Sequence, residues 1–288
     1  MVVLALTCVM VAFASIPALA GGFLLFPKPA KALSAETLPY GQALHTGVEN
    51  DTFYLRGRFG VDFHIAGYRF GEAGVADAGA DTQSDRYGGR EVLLGINAAA
   101  NLNMRPTSDM RFPVDNFYAL LAIHLSGTLS EKLSWRLYPI HHVSAHLADG
   151  HPNGIAKGEV RPVSAEMVRG EFYVKPFGES VEFGAGAGYY YHVCAQEELV
   201  YRADLSILLK PPSPCRVFDG ELFPYALVRL ENVRQGRDSF GTTASVGAVL
   251  RKSGRGFGLS VIYFDRLHSG YYFEKYEKGA GVEYMFLF

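Results

Sequence analysis

The stretch Phe53-Tyr54-Leu55-Arg56-Gly57-Arg58-Phe59-Gly60-Val61-Asp62-Phe63-His64-Ile65 decides the fold. Taken alternately, one face carries Phe53, Leu55, Gly57, Phe59, Val61, Phe63 and Ile65; the other carries Tyr54, Arg56, Arg58, Gly60, Asp62 and His64. Side chains alternate across a β-strand with a period of two, so this is one long strand with an apolar face and a charged one. Typical strands run about five or six residues. A strand twice that length, apolar at every second position, suits a membrane barrel, whose side chains meet lipid and lumen in turn.

The same alternation recurs outward from this point, over 92–103, 116–126, 181–192 and 201–210, with further candidates at 221–232, 240–252 and 256–266. It is blurred over 162–176, where a bulge would explain it. The last strand sets Ala280, Val282, Tyr284, Phe286 and Phe288 on one face. Counting 133–147, about eleven strands are visible, and single-chain bacterial barrels use an even number. The prediction is therefore an all-β, antiparallel up-and-down transmembrane β-barrel of about 12 strands spanning 52–288, the missing strand hidden between Met104 and Val114. Short connections at 127–132, 177–180 and 253–256 read as periplasmic turns. Longer polar ones at 71–90, 149–159 and 234–239 read as outer loops.

A charge-free run from Val2 to Phe26 precedes the barrel and ends its first part in Ala18-Leu19-Ala20, the small-residue pattern of a cleaved signal peptide. Residues 1–20 are expected to be that signal, with cleavage as late as 32 at Ala30-Lys31-Ala32 as an alternative, and an uncleaved anchor as the rival reading. Residues 21–51 are expected to be a periplasmic N-terminal stretch. The predicted location is the outer membrane of a Gram-negative bacterium. No later run approaches the 20 or so apolar residues a helical span needs. A net charge of −2 argues against nucleic acid as a partner. The expected partners are outer-membrane lipids and the outer-membrane assembly machinery, the latter through the strand ending in Phe288. Cys194 and Cys215 fall at opposite ends of the barrel, roughly 30 Å apart and beyond disulfide reach.

One strand carries candidate chemistry. In Leu133–Leu147, Trp135, Leu137, Val143, Ala145 and Leu147 share one face; Arg136, Tyr138, His142, Ser144 and His146 share the other. His142 and Ser144 would stand side by side, where an imidazole could take the hydroxyl proton. Glu166 on the next strand is the nearest acid that could orient the histidine. By strict alternation the dyad faces the lumen. A metal held by His142 and His146 is not expected, because they lie about 13 Å apart along the strand; no cofactor is expected either. The first functional reading is a structural or plugged barrel whose lumen is filled by paired polar groups, among them Arg136, His146, Asp149, His64, His124, Arg202 and Asp204, with His192 and Glu166 also inward. A lipid acyl hydrolase and a small-solute pore are the alternatives.

His142-x-Ser144 on a barrel strand resembles the arrangement in outer membrane phospholipase A and lipid A deacylase, which implies a serine hydrolase of phospholipid or lipid A. Over most of the chain the landmarks resemble a family of uncharacterised Gram-negative outer-membrane barrels. They are Asp115-Asn116-Phe117-Tyr118, Trp135-Arg136-Leu137-Tyr138, His142-Val143-Ser144-Ala145-His146-Leu147-Ala148-Asp149, Val163-Ser164-Ala165-Glu166 and Phe223-Pro224-Tyr225-Ala226. The family's version of the third is close to His-x-Ser-Ser-His-Leu-Gly-Asp-Glu, from which Ala145, Ala148 and Gly150 depart. That resemblance implies fold and location and no particular activity.

Overall fold

Each alternating stretch forms a strand in the computed structural model, which describes residues 21–25, 42–49, 52–70, 91–104, 114–147, 163–194, 198–217, 219–253, 255–267 and 276–287. The strands are β1 (Gly21–Leu25), β2 (Gln42–Glu49), β3 (Thr52–Phe70), β4 (Glu91–Met104), β5 (Val114–Ser130), β6 (Leu133–Leu147) and β7 (Val163–Val174). They continue with β8 (Val181–Cys194), β9 (Leu199–Leu209), β10 (Cys215–Val217), β11 (Gly220–Gln235), β12 (Arg237–Lys252), β13 (Arg255–Leu267) and β14 (Tyr276–Leu287). Apart from β1 and β10, each pairs antiparallel with its neighbours in the chain, and β14 pairs back onto β2, closing a 12-strand barrel. β1 adds to the far end of β3, and β10 pairs with the start of β11.

The twelfth strand is not where alternation placed it. Residues 105–113 lie outside those described, and β2 supplies the twelfth, so the barrel takes in Gln42–Glu49 from the stretch expected to precede it. Its alternation is genuine but brief: Leu44 and Val48 are exposed while Ala43 is buried. With β2 counted, the connection 71–90 leaves from the end of the tight 131–132 and 175–180 turns instead of joining the long loops.

The two faces are inverted relative to a soluble protein. Phe59, Val61, Leu121, Phe172, Leu205 and Val261 stand exposed outside, while arginines, acids and histidines are buried within. An apolar outer belt over a fully paired sheet with no edge meets the two demands of a hydrocarbon solvent, and the fold fits a membrane β-barrel. No helix among the described residues is long and apolar enough to cross a membrane.

Charge pairs cross-link the lumen. Glu277 takes Arg56 at 2.8 Å and Arg266 at 2.6 Å; Glu283 takes Arg58 at 3.2 Å and His45 at 2.7 Å. Further round, Arg169 binds both Glu171 and Asp204, and Arg202 binds Glu231 at 2.6 Å. Tyr173 and Tyr138 donate their hydroxyls to Glu171 at 2.8 and 3.3 Å. Buried charge is tolerated when each member is paired and hydrogen-bonded, as here.

Candidate active site on the outer face

The site begins with a proline. In β6, Arg136 and Tyr138 point inward and are buried. Pro139 follows, and proline has no N–H to give to a ladder, so within sheets it favours bulges. Against β5, Leu137 pairs with Leu125 and Ile140 with Ile123, leaving both Tyr138 and Pro139 opposite His124; the register with β7 slips between Tyr138 and His141. One extra residue exchanges the faces of everything after it. His141, Val143 and Ala145 therefore turn inward and are buried.

His142 and Ser144 turn outward, correcting the lumen position that uninterrupted alternation gives them. His142 sits opposite Leu121, which is 55 % exposed, and Ser144 opposite Ala119. Glu166 lies directly across from His142 on β7, and it too is on the outer face, not in the lumen. His142 Nδ1 stands 3.7 Å from Glu166 Oε1, with the two side chains 36 % and 29 % exposed. A second bulge, in β8, pairs Met167 with Tyr190 and Glu166 with His192, so Tyr191 is the extra residue. His192 is thereby exposed rather than lumenal, 3.7 Å from the Cys194 thiol. Ser164 completes the patch between Ser144 and Cys194.

This arrangement has a chemical direction. Glu166 against Nδ1 leaves Nε2 of His142 to serve as base, the division of labour of a serine hydrolase. Ser144 is the next outward position, about 7 Å along the strand and within the swing of an imidazole. The hydroxyl and ring are not hydrogen-bonded to one another in the resting arrangement, and such contacts commonly tighten only with substrate in place.

The site's height also matters. His142 comes nine residues after Leu133, the first of β6. At about 3.3 Å per residue and a tilt near 40°, with the bulge residue adding no rise, it stands about 20 Å up the wall from Leu133. Directly below, an open depression of about 390 Å³ is lined by Leu137, Val168, Gly170, Ala187, Tyr189 and Tyr201. Gly170 forms its floor, and a Cβ there would meet nothing within 4 Å.

Arg136, His64, His124, Arg202 and Asp204 lie in the lumen as expected. Asp149, His151 and the side chain of His146 fall outside the described residues. Alternation puts Asn97 on the inner face, where it is buried opposite Asp62, but does not single it out, because asparagine in an Ala/Asn-rich strand carries no charge signal. The signal for the outward dyad was available in Pro139. No protein-family model matches the chain, and no curated protein matches it in sequence.

Proposed function

We propose that the protein is a lipid acyl hydrolase of the bacterial outer membrane, exported with a signal peptide and folded by the outer-membrane assembly machinery through its last strand. The observation that carries this reading is the Pro139 bulge, which turns His142 and Ser144 to the outer face, where Glu166 of β7 stands opposite His142. Ser144 Oγ attacks the ester carbonyl as its proton passes to His142 Nε2, and Glu166 steadies the resulting imidazolium. The proton then goes to the departing alcohol oxygen, and water, activated by the same histidine, releases the fatty acid and regenerates Ser144. The depression over Gly170 lies about 13 to 20 Å down the wall from Ser144 and gives the far part of an acyl chain a mostly apolar seat.

The lumen supports the plugged reading over the pore, since its arginines and acids pair across the interior and no wide aqueous path is needed to explain them. A structural interior and a working exterior are compatible. Refolded protein incubated with phospholipid and lipopolysaccharide in detergent should release fatty acid detectable by mass spectrometry. A folded Ser144→Ala variant should not. Release that persists in Ser144→Ala, or is absent from folded wild type, sinks the hydrolase.

A further inference from the structure

A second histidine–carboxylate cluster lies inside the barrel, and the outer-face chemistry does not use it. Asp62 and His64 project inward from β3, His124 from β5, with β4 between them. His64 pairs with Gly95, and Gly95 with His124, so a single glycine separates the two imidazoles. A Cβ on Gly95 would come within 2.4 Å of His124 Nε2. The missing side chain is what lets the ring lie across β4 and reach Asp62 Oδ1 at 3.1 Å.

We propose that Asp62, His64 and His124 hold a divalent first-row transition metal ion, of which zinc is the type, inside the barrel. One ligand atom from each of the three lies within 4.8 Å of the others, so small rotations bring them round a single ion. His124 is fully buried and His64 nearly so. Two imidazoles and one carboxylate form a borderline donor set that suits zinc and its neighbours and leaves a position for water.

Unmatched polar atoms point the same way. Nδ1 of His64, Nδ1 of His124 and both amide atoms of Asn97 are buried without a hydrogen-bond partner among the described residues. Asn97 sits directly opposite Asp62 on the inner face. Buried polar atoms are usually satisfied, and a cluster of exceptions at one place suits a site for a bound ion and its water. A bound ion would use the imidazoles, and its water would donate a hydrogen bond to Asn97 Oδ1.

The surrounding charges leave room for it. Arg136 faces the cluster but is held by Asp62 Oδ2 at 2.9 Å and by the Tyr138 hydroxyl at 3.2 Å, leaving Oδ1 turned toward the histidines. Ser126 Oγ stands 3.4 Å from His64 Nε2 and orients that ring. Such outer contacts hold ligating histidines in place. The Tyr138 ring, 5.7 Å from the His124 ring, screens the site on the side of His141.

Full-length barrel, refolded in detergent and stripped with a chelator, would be titrated with zinc against a chromophoric competitor, and separately with cobalt read by its visible d–d bands. One equivalent should bind. His64→Gln and His124→Gln, checked for folding by heat-shifted migration on gels, should weaken binding beyond the roughly 10–100-fold that loss of an outer contact costs. His142→Ala and His192→Ala, on the outer face, should leave it unchanged. Binding that is absent from folded wild type, or that survives both lumen variants and disappears with His192→Ala, overturns the proposal. Should a lumen variant fail to refold, X-ray absorption of zinc-loaded wild type decides instead. Scattering from two imidazoles without sulfur supports the site, and a sulfur shell from Cys194 or Cys215 overturns it.

Discussion

Two histidine–carboxylate pairs, His124–Asp62 and His142–Glu166, are attached to the same wall of the barrel and differ in almost every physical respect. The first is 3.1 Å apart and sealed, with Asp62 also gripped by Arg136. The second is 3.7 Å apart, a third exposed, and lies above an open depression. A side chain locked by several partners in a closed interior stabilises or binds. A side chain with one loose partner, one free nitrogen and a neighbouring hydroxyl at a lipid interface is placed to react. One proline separates these outcomes.

The sharpest way to break the contrast is at the nucleophile. Ser144→Ala should lower acyl release by about a thousandfold or more, as losing a catalytic serine does, while its urea unfolding midpoint stays put. Arg136→Ala should do the reverse, costing about 3–5 kcal/mol because Asp62 is left buried and short of its cation, with only a secondary effect on turnover. Urea titration of the refolded barrel measures this, and a loss under 1 kcal/mol would show the lumen to be wetter than described. Glu166→Gln should reduce turnover about a hundredfold, less than the ~10⁴ seen where the orienting acid is tightly bonded, since the pair here is longer. A nitroxide label at Ser144→Cys should collide with lipid-soluble oxygen, and one at Val143→Cys should not; the opposite pattern would deny the bulge. Smallest of all, Arg234→Ala breaks an exposed pair with Asp238 and should shift stability by no more than about 0.5 kcal/mol.

The sequence made the barrel readable because lipid and lumen demand opposite chemistry at alternate positions, and strands such as β3 honour that for nearly their whole length. It placed Arg136, Arg202, Asp204, His64 and His124 inside for the same reason. It misplaced His142, Ser144, Glu166 and His192. Three of these lie after a bulge on their own strand, at Pro139 or at Tyr191, and Glu166 stands between those two strands, opposite His142 and His192. Parity is a running count, and one unpaired residue reverses it without leaving a gap in the hydrophobic pattern. Val143 and Ala145 are as acceptable inside as outside, so composition raised no objection. The convergence of Asp62, His64, Gly95, Asn97 and His124 was illegible for another cause: it depends on the relative register of three strands, which alternation alone does not set.

Closure of the cylinder rests on its shortest member. β2 meets β14 over eight residue pairs, from Glu49 with Gly279 to Gln42 with Phe286, whereas β13 and β14 share twelve. The wall is thus a zip fastener with one abbreviated row of teeth, where the first and last strands of the barrel meet. Amide protons along that seam should exchange with solvent ahead of those elsewhere in the wall. A bilayer that thins or stretches would part the cylinder there, one strand from Asp62 and several strands from the His142–Glu166 pair.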